Sequence, residues 1–248
     1  MADLVTFDCK PKLVRPIFVE GLPGVGNVGK IAADFVSEKL NARRMARILS
    51  EHLPAQFLVD DECVARMACQ ELWYAKNVNG HDIVFLLGEC QAPANDGQFL
   101  LAQKVLDILL PYDPSMIVTL GGYGVGEIPK EPRVIGVVSD PKLKTAMESH
   151  GVSFYPGEPN GGVVGAAAAF IGLGAEYGID SVCVIGETSG YILDSKSARN
   201  LVDVLASMFG VEIDTSDMQT DIDQIETIAE KVGDAASQKT HEDLSYIG

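Results

Sequence analysis

Short apolar runs alternate along this chain with stretches whose apolar residues recur every three to four positions. Residues 16–22 are apolar and partly β-branched, which predicts a buried strand. Residues 23–29 are rich in glycine. Residues 30–40 then carry Ile31, Phe35, Val36 and Leu40 at helical spacing. Residues 45–49 read as a second strand. Residues 62–76, followed by Asn77-Val78-Asn79-Gly80, predict a β-hairpin or short sheet region. Residues 82–88 form a continuous apolar run of the kind found in central parallel strands. A helix over 97–110 stops before Pro111.

The alternation then repeats. Residues 115–120 predict a strand, 121–126 a glycine-rich loop and 134–138 another strand. Asp140, an N-cap followed by Pro141, opens a helix to about residue 150. Residues 161–177 form a small-residue helix and 181–186 the last strong strand. Residues 195–209 are helical, with Ala198, Leu201, Val202, Leu205 and Met208 on one face. Strands separated by helices specify an α/β sandwich with a mostly parallel sheet. The character changes after residue 211. Residues 214–233 are acidic and amphipathic, with a stripe of Met218, Ile222, Ile225, Ile228 and Val232. That stripe suits packing on its own domain or between subunits. The expected organisation is one domain over 1–211 and an acidic helical extension and tail over 212–248.

Composition narrows the functional classes. The 248 residues carry a formal net charge of −16. A nucleic-acid surface needs a basic footprint, and anionic lipid also attracts basic segments, so neither partner is expected. The five cysteines, Cys9, Cys63, Cys69, Cys90 and Cys183, form no Cys-x-x-Cys pair. They support neither a disulfide framework nor a zinc site. The four histidines lack ligand spacing. No apolar stretch reads as a signal peptide or a membrane span. The expectation is a soluble, reduced, cytoplasmic protein without a metal or other cofactor.

The segment Gly21-Leu-Pro-Gly-Val-Gly-Asn-Val-Gly-Lys30 invites a chemical interpretation. Gly24, Gly26 and Gly29 match the dinucleotide fingerprint. They lie between a strand and a helix, and Glu51 stands where a ribose-binding acid would follow. Gly24, Gly29 and Lys30 also match most of a P-loop, but Ile31 replaces the magnesium-binding Ser or Thr. Glycines in such a place equally serve a tight turn and close helix–sheet packing. Gly186-Glu187-Thr188-Ser189-Gly190 resembles a nucleophile elbow with Thr at its centre, yet the sole later histidine is His241. Glu127 and Glu187 both follow glycine-rich turns, where paired carboxylates could exchange protons or cap amides. No convincing catalytic constellation emerges.

The segment 17–32, Ile-Phe-Val-Glu-Gly-Leu-Pro-Gly-Val-Gly-Asn-Val-Gly-Lys-Ile-Ala, resembles the N-terminal signature of the proteasome assembly chaperone 2 (PAC2) family, in its archaeal branch. The blocks at 120–126, 159–165 and 186–191 follow in that family's order, so the likeness spans roughly 17–209. It implies a three-layer α/β/α fold similar to nucleoside phosphorylases, without an established active site. It further implies a non-enzymatic, homo-oligomeric chaperone or adaptor that binds α-subunits of the 20S proteasome. Some archaeal relatives use a C-terminal hydrophobic–tyrosine–any motif for that contact. Here the candidate anchors are Leu244, Tyr246 and Ile247, and Tyr246 is third from last rather than next to last. The alternative is a nucleotide- or phosphometabolite-binding enzyme or sensor that uses loop 21–30.

Overall fold

The computed structural model describes residues 3–223. In chain order the strands are β1 (Leu4–Phe7), β2 (Ile17–Glu20), β3 (Arg43–Leu49), β4 (Phe57–Val59), β5 (Ala65–Met67), β6 (Gln70–Val78), β7 (His81–Gly88), β8 (Met116–Gly124), β9 (Val134–Val138) and β10 (Ser181–Thr188). The helices are α1 (Val28–Lys39), α2 (Asn95–Leu109), α3 (Lys144–Glu148), α4 (Ala166–Glu176) and α5 (Ser195–Phe209). Eight strands form one sheet in the order β1-β3-β6-β7-β2-β8-β10-β9, while β4 and β5 pair separately. The four central strands, β7-β2-β8-β10, run parallel. Antiparallel partners extend both flanks.

Side chains alternate across this sheet with period two. Val19, Phe85, Val118 and Val184 face α1 and α5 on one side. Phe18, Val84 and Ile117 face α2 and α4 on the other. Central strands covered on both faces account for their continuous apolar runs. The result is the three-layer α/β/α sandwich. Complete burial of each large side chain, such as Phe18, Phe85 or Phe209, contributes roughly 1.5–3 kcal/mol.

Local signals set the element ends. The side chain of Asp194 accepts a hydrogen bond from the Ser197 amide at 2.9 Å and caps α5. The expected hairpin is β6–β7, turned by Asn79 (φ 46°) and Gly80 (φ 87°). Two consecutive left-handed residues suit a two-residue hairpin turn, whose twist matches that of the strands.

Several boundaries differ from the sequence expectation. The glycine-rich segment 121–124 is strand rather than loop, because Gly121 to Gly124 pair in register with Ile185 to Thr188. Residues 161–165 precede α4, with Gly161, Gly162 and Gly165 at positive φ. β1 adds an antiparallel edge partner to β3. Met218 and Ile222, the first two members of the predicted stripe, are buried in the core that contains α1 and α5. The later members lie outside the described residues, as do Leu244, Tyr246 and Ile247. Among the described residues no helix is long and apolar enough to cross a membrane.

Candidate functional site

β2 ends at Glu20, whereas β8 and β10 run on past that level to Gly124 and Thr188, and a short polar row crosses the three strands where β2 stops. Strand register places Glu20 beside Thr119, and Thr119 beside Cys183. The next row is Gly121 beside Ile185. Of these residues Glu20, Gly121, Cys183 and Ile185 line a crevice of about 200 Å³. Its walls include Leu22 and Val25 after β2, Gln91 after β7, Tyr123 of β8 and Val163 ahead of α4. The outer ends of parallel strands are where open α/β sheets place ligands.

Gln91 ties the walls together. Its Nε2 donates to the Pro23 carbonyl at 2.6 Å, and its Oε1 accepts from the Ala166 amide at 3.1 Å and from Gln98 Nε2 at 3.0 Å. One side chain thus links the β2–α1 loop, α2 and the start of α4. The first amide of α4 is already occupied by this contact.

Glu20 is the unusual group. It is 1% exposed. Its Oε1 accepts from the Leu22 amide at 3.0 Å, whereas Oε2 has no hydrogen-bond partner among the described residues. Burial pushes its carboxyl up to about 8, and the Leu22 amide offsets only part of that. The acid is therefore mainly neutral near pH 7. Burial likewise pushes the Cys183 thiol up to about 12, which suppresses thiolate reactivity. Sequence reasoning passed over Glu20. The available signal was a carboxylate within the apolar run 17–22, immediately before a glycine.

The structure distributes the sequence candidates differently. Gly24 borders the crevice and has open space around the position a Cβ would take. Gly26 (φ 61°) turns against Thr188, whose Oγ1 would lie 2.7 Å from an added Cβ. Gly29 allows α1 to approach β8; a Cβ there would stand 2.5 Å from the Leu120 carbonyl oxygen. Lys30 extends to Asp34, one helical turn on, at 2.6 Å. Neither Lys30 nor Glu51 lines the crevice. Among the described residues no Lys, Arg or His does so.

Glu187 and its neighbours serve β10 itself. The Glu187 carboxylate accepts from Arg133 Nε at 2.8 Å, from the Arg133 amide at 3.1 Å and from Arg133 Nη2. The Arg133 contact holds this carboxyl below the usual glutamate range. Arg133 also lies 4.8 Å from the Tyr155 ring centre, in cation–π contact. This cluster clamps the segment ahead of β9 to β10. Glu127 is exposed. Among the described residues no group of three or more His, Cys, Asp and Glu could hold a metal ion.

Comparison with known proteins adds a family. The PAC2 family model matches residues 18–232. An uncharacterized protein of Methanocaldococcus jannaschii is 30% identical, over 97% of this chain and 95% of its own. Pyrococcus furiosus PbaB, described as an archaeal proteasome activator, is 32% identical with a TM-score of 0.86, covering 93% of this chain and 98% of that one. Pyrococcus furiosus PbaA, described as an archaeal homolog of proteasome-assembly chaperone, shares the fold, with 23% identity and a TM-score of 0.75 over 94% and 100% of the two chains. These descriptions are of an activator and a chaperone homologue rather than of enzymes.

Proposed function

The chain belongs to the PAC2 family, and on that premise we propose that it is a non-enzymatic factor that binds the 20S proteasome in the cytoplasm. The likeness to PbaB carries this proposal: 32% identity over nearly the whole of both chains, with a TM-score of 0.86. The α-subunits are the proposed partner, and a homo-oligomer is the proposed working form. An oligomer presents several identical surfaces to a ring of similar subunits. Once one contact forms, the others become intramolecular, so weak single contacts give useful avidity. No covalent step is needed.

Domain 1–211 would provide the assembling body. The extension 212–248 would carry the contact, with Leu244, Tyr246 and Ile247 as apolar anchors on a polar arm. Large aromatic side chains suit that role. The expected likeness to nucleoside phosphorylases would transfer architecture without activity.

Affinity capture tests the proposal. The intact protein serves as bait in native lysate, and mass spectrometry identifies what it retains. Enrichment of proteasome α-subunits over a bait with scrambled residues 244–248 is the expected result. Equal recovery with both baits would remove the tail from the mechanism, and no recovery of α-subunits with either would contradict the proposal itself.

A further inference from the structure

We propose that the crevice over Glu20 binds a small organic cation, an apolar body carrying one protonated amine. Three features of the crevice point to that chemistry. Its walls are largely apolar, with Leu22, Val25, Val163 and Ile185 among them. Its one carboxyl, Glu20, is almost completely buried and leaves Oε2 without a partner among the described residues. Buried polar groups are nearly always paired, so an unpaired oxygen on a carboxyl that borders a cavity calls for a hydrogen-bond partner from a ligand or a water, a donor once the carboxyl is ionised. An ammonium group supplies such a donor with compensating charge.

The same features select against an anion. Among the described residues no basic side chain lines the crevice. The first amide of α4 is occupied by Gln91, so the helix start offers less to a phosphate than an open one would. The net charge of −16 also raises the local concentration of cations over anions. At about 200 Å³ the space is below the ~300–1,000 Å³ typical of larger ligand sites. It fits a metabolite-sized amine.

Binding is coupled to a proton. The other titratable groups lining the crevice are Cys183 of β10 and Tyr123 of β8; α4 and the loop segments contribute none. Without a bound cation Glu20 is mainly neutral below pH 8, since burial pushes it up to about 8. An adjacent ammonium favours the carboxylate, so amine binding near neutrality releases one proton. Below the titration of Glu20, affinity then rises about tenfold per pH unit.

Titration calorimetry on the full-length protein tests this with benzylamine and propylamine as cations, benzyl alcohol as a neutral isostere and benzoate as an anion. The expected result is binding of at least one amine. Its affinity should rise about tenfold from pH 6 to 7, with one proton released per site. The alcohol and the acid should bind at least about tenfold more weakly, as loss of a charged hydrogen bond implies. Glu20→Gln should remove both the preference for amines and the pH dependence. Gly121→Leu should block binding while leaving Glu20 in place, because Gly121 lines the crevice with open space beside it. This second variant keeps the test sound if Glu20→Gln does not fold. The proposal is overturned if neither amine binds at millimolar concentration, if benzoate or the alcohol binds as well as the amine, or if binding survives both substitutions.

Discussion

Replacing Glu20 by Gln should make the protein more stable, and increasingly so as pH rises. In the fold the carboxyl titrates at about 8; its ordinary value is 4.5. Between those values the unfolded chain has released this proton and the folded chain retains it. Stability therefore falls as pH increases, by about 1.4 kcal/mol per pH unit for this one group. From pH 6 to pH 8 the loss is about 2 kcal/mol, because the slope flattens where the folded protein itself begins to ionise. Glutamine has nearly the same shape and can still accept the Leu22 amide now bound at 3.0 Å. Having no proton to lose, it escapes this penalty. Urea unfolding of both proteins at pH 6 and 8, at one fixed protein concentration, provides the comparison. Other titrating groups cancel in the difference. The advantage of Glu20→Gln should grow by about 2 kcal/mol over that interval, or roughly 4–8 °C in Tm for a chain of this size. A difference that stays flat with pH would refute the assignment of Glu20 as a buried neutral acid.

Three further outcomes are expected. Gly29→Ala should destabilise by about 1–3 kcal/mol, measured by urea unfolding without any ligand, since its Cβ would press on the Leu120 carbonyl at 2.5 Å. A neutral result would free that glycine for another role. Arg133→Met should cost about 1–3 kcal/mol at neutral pH by leaving the Glu187 carboxylate without its charged partner. Glu187 is held below the usual glutamate range, so its contribution is present above that range and is lost as pH falls through the folded value. The wild-type advantage over Arg133→Met should therefore shrink in acid, and a pH-independent gap would contradict the assignment. Deletion of residues 244–248 should weaken proteasome binding in biolayer interferometry without changing Tm; unchanged affinity would show that another surface makes the contact.

Much of the architecture is legible in local patterns. The uninterrupted run 82–88 became β7, the stripe Ala198, Leu201, Val202 and Leu205 became the buried face of α5, and Asn79-Gly80 became a hairpin turn. What was not legible depends on partners distant in sequence. Gly121 and Gly122 look like loop residues by propensity, but the ladder with β10 holds them extended. β1 exists as a strand because β3 offers it an edge.

The site divides along the same line. Glycine spacing at 24, 26 and 29 located a real strand–turn–helix, as the sequence pattern implied. It could not distinguish a phosphate cradle from close packing, since both require a missing Cβ. The close approaches at Gly26 and Gly29 are visible only once β8 and β10 are placed. Lys30 could have been read with Asp34 as an i,i+4 ion pair, which directs its charge along α1. Glu20 borders its crevice together with residues distant in sequence, among them Gln91, Val163 and Ala167 of α4. No local pattern around residue 20 encodes that grouping.

Binding of the 20S proteasome by this PAC2 protein is the proposal on which the rest depends. Sedimentation velocity of the purified full-length protein, alone and mixed with purified archaeal 20S particles, tests it most directly. A homo-oligomer in the first run and co-sedimentation with the 20S boundary in the second are expected. Independent sedimentation of the two components, at protein concentrations well above those of the oligomer's own assembly, would contradict it.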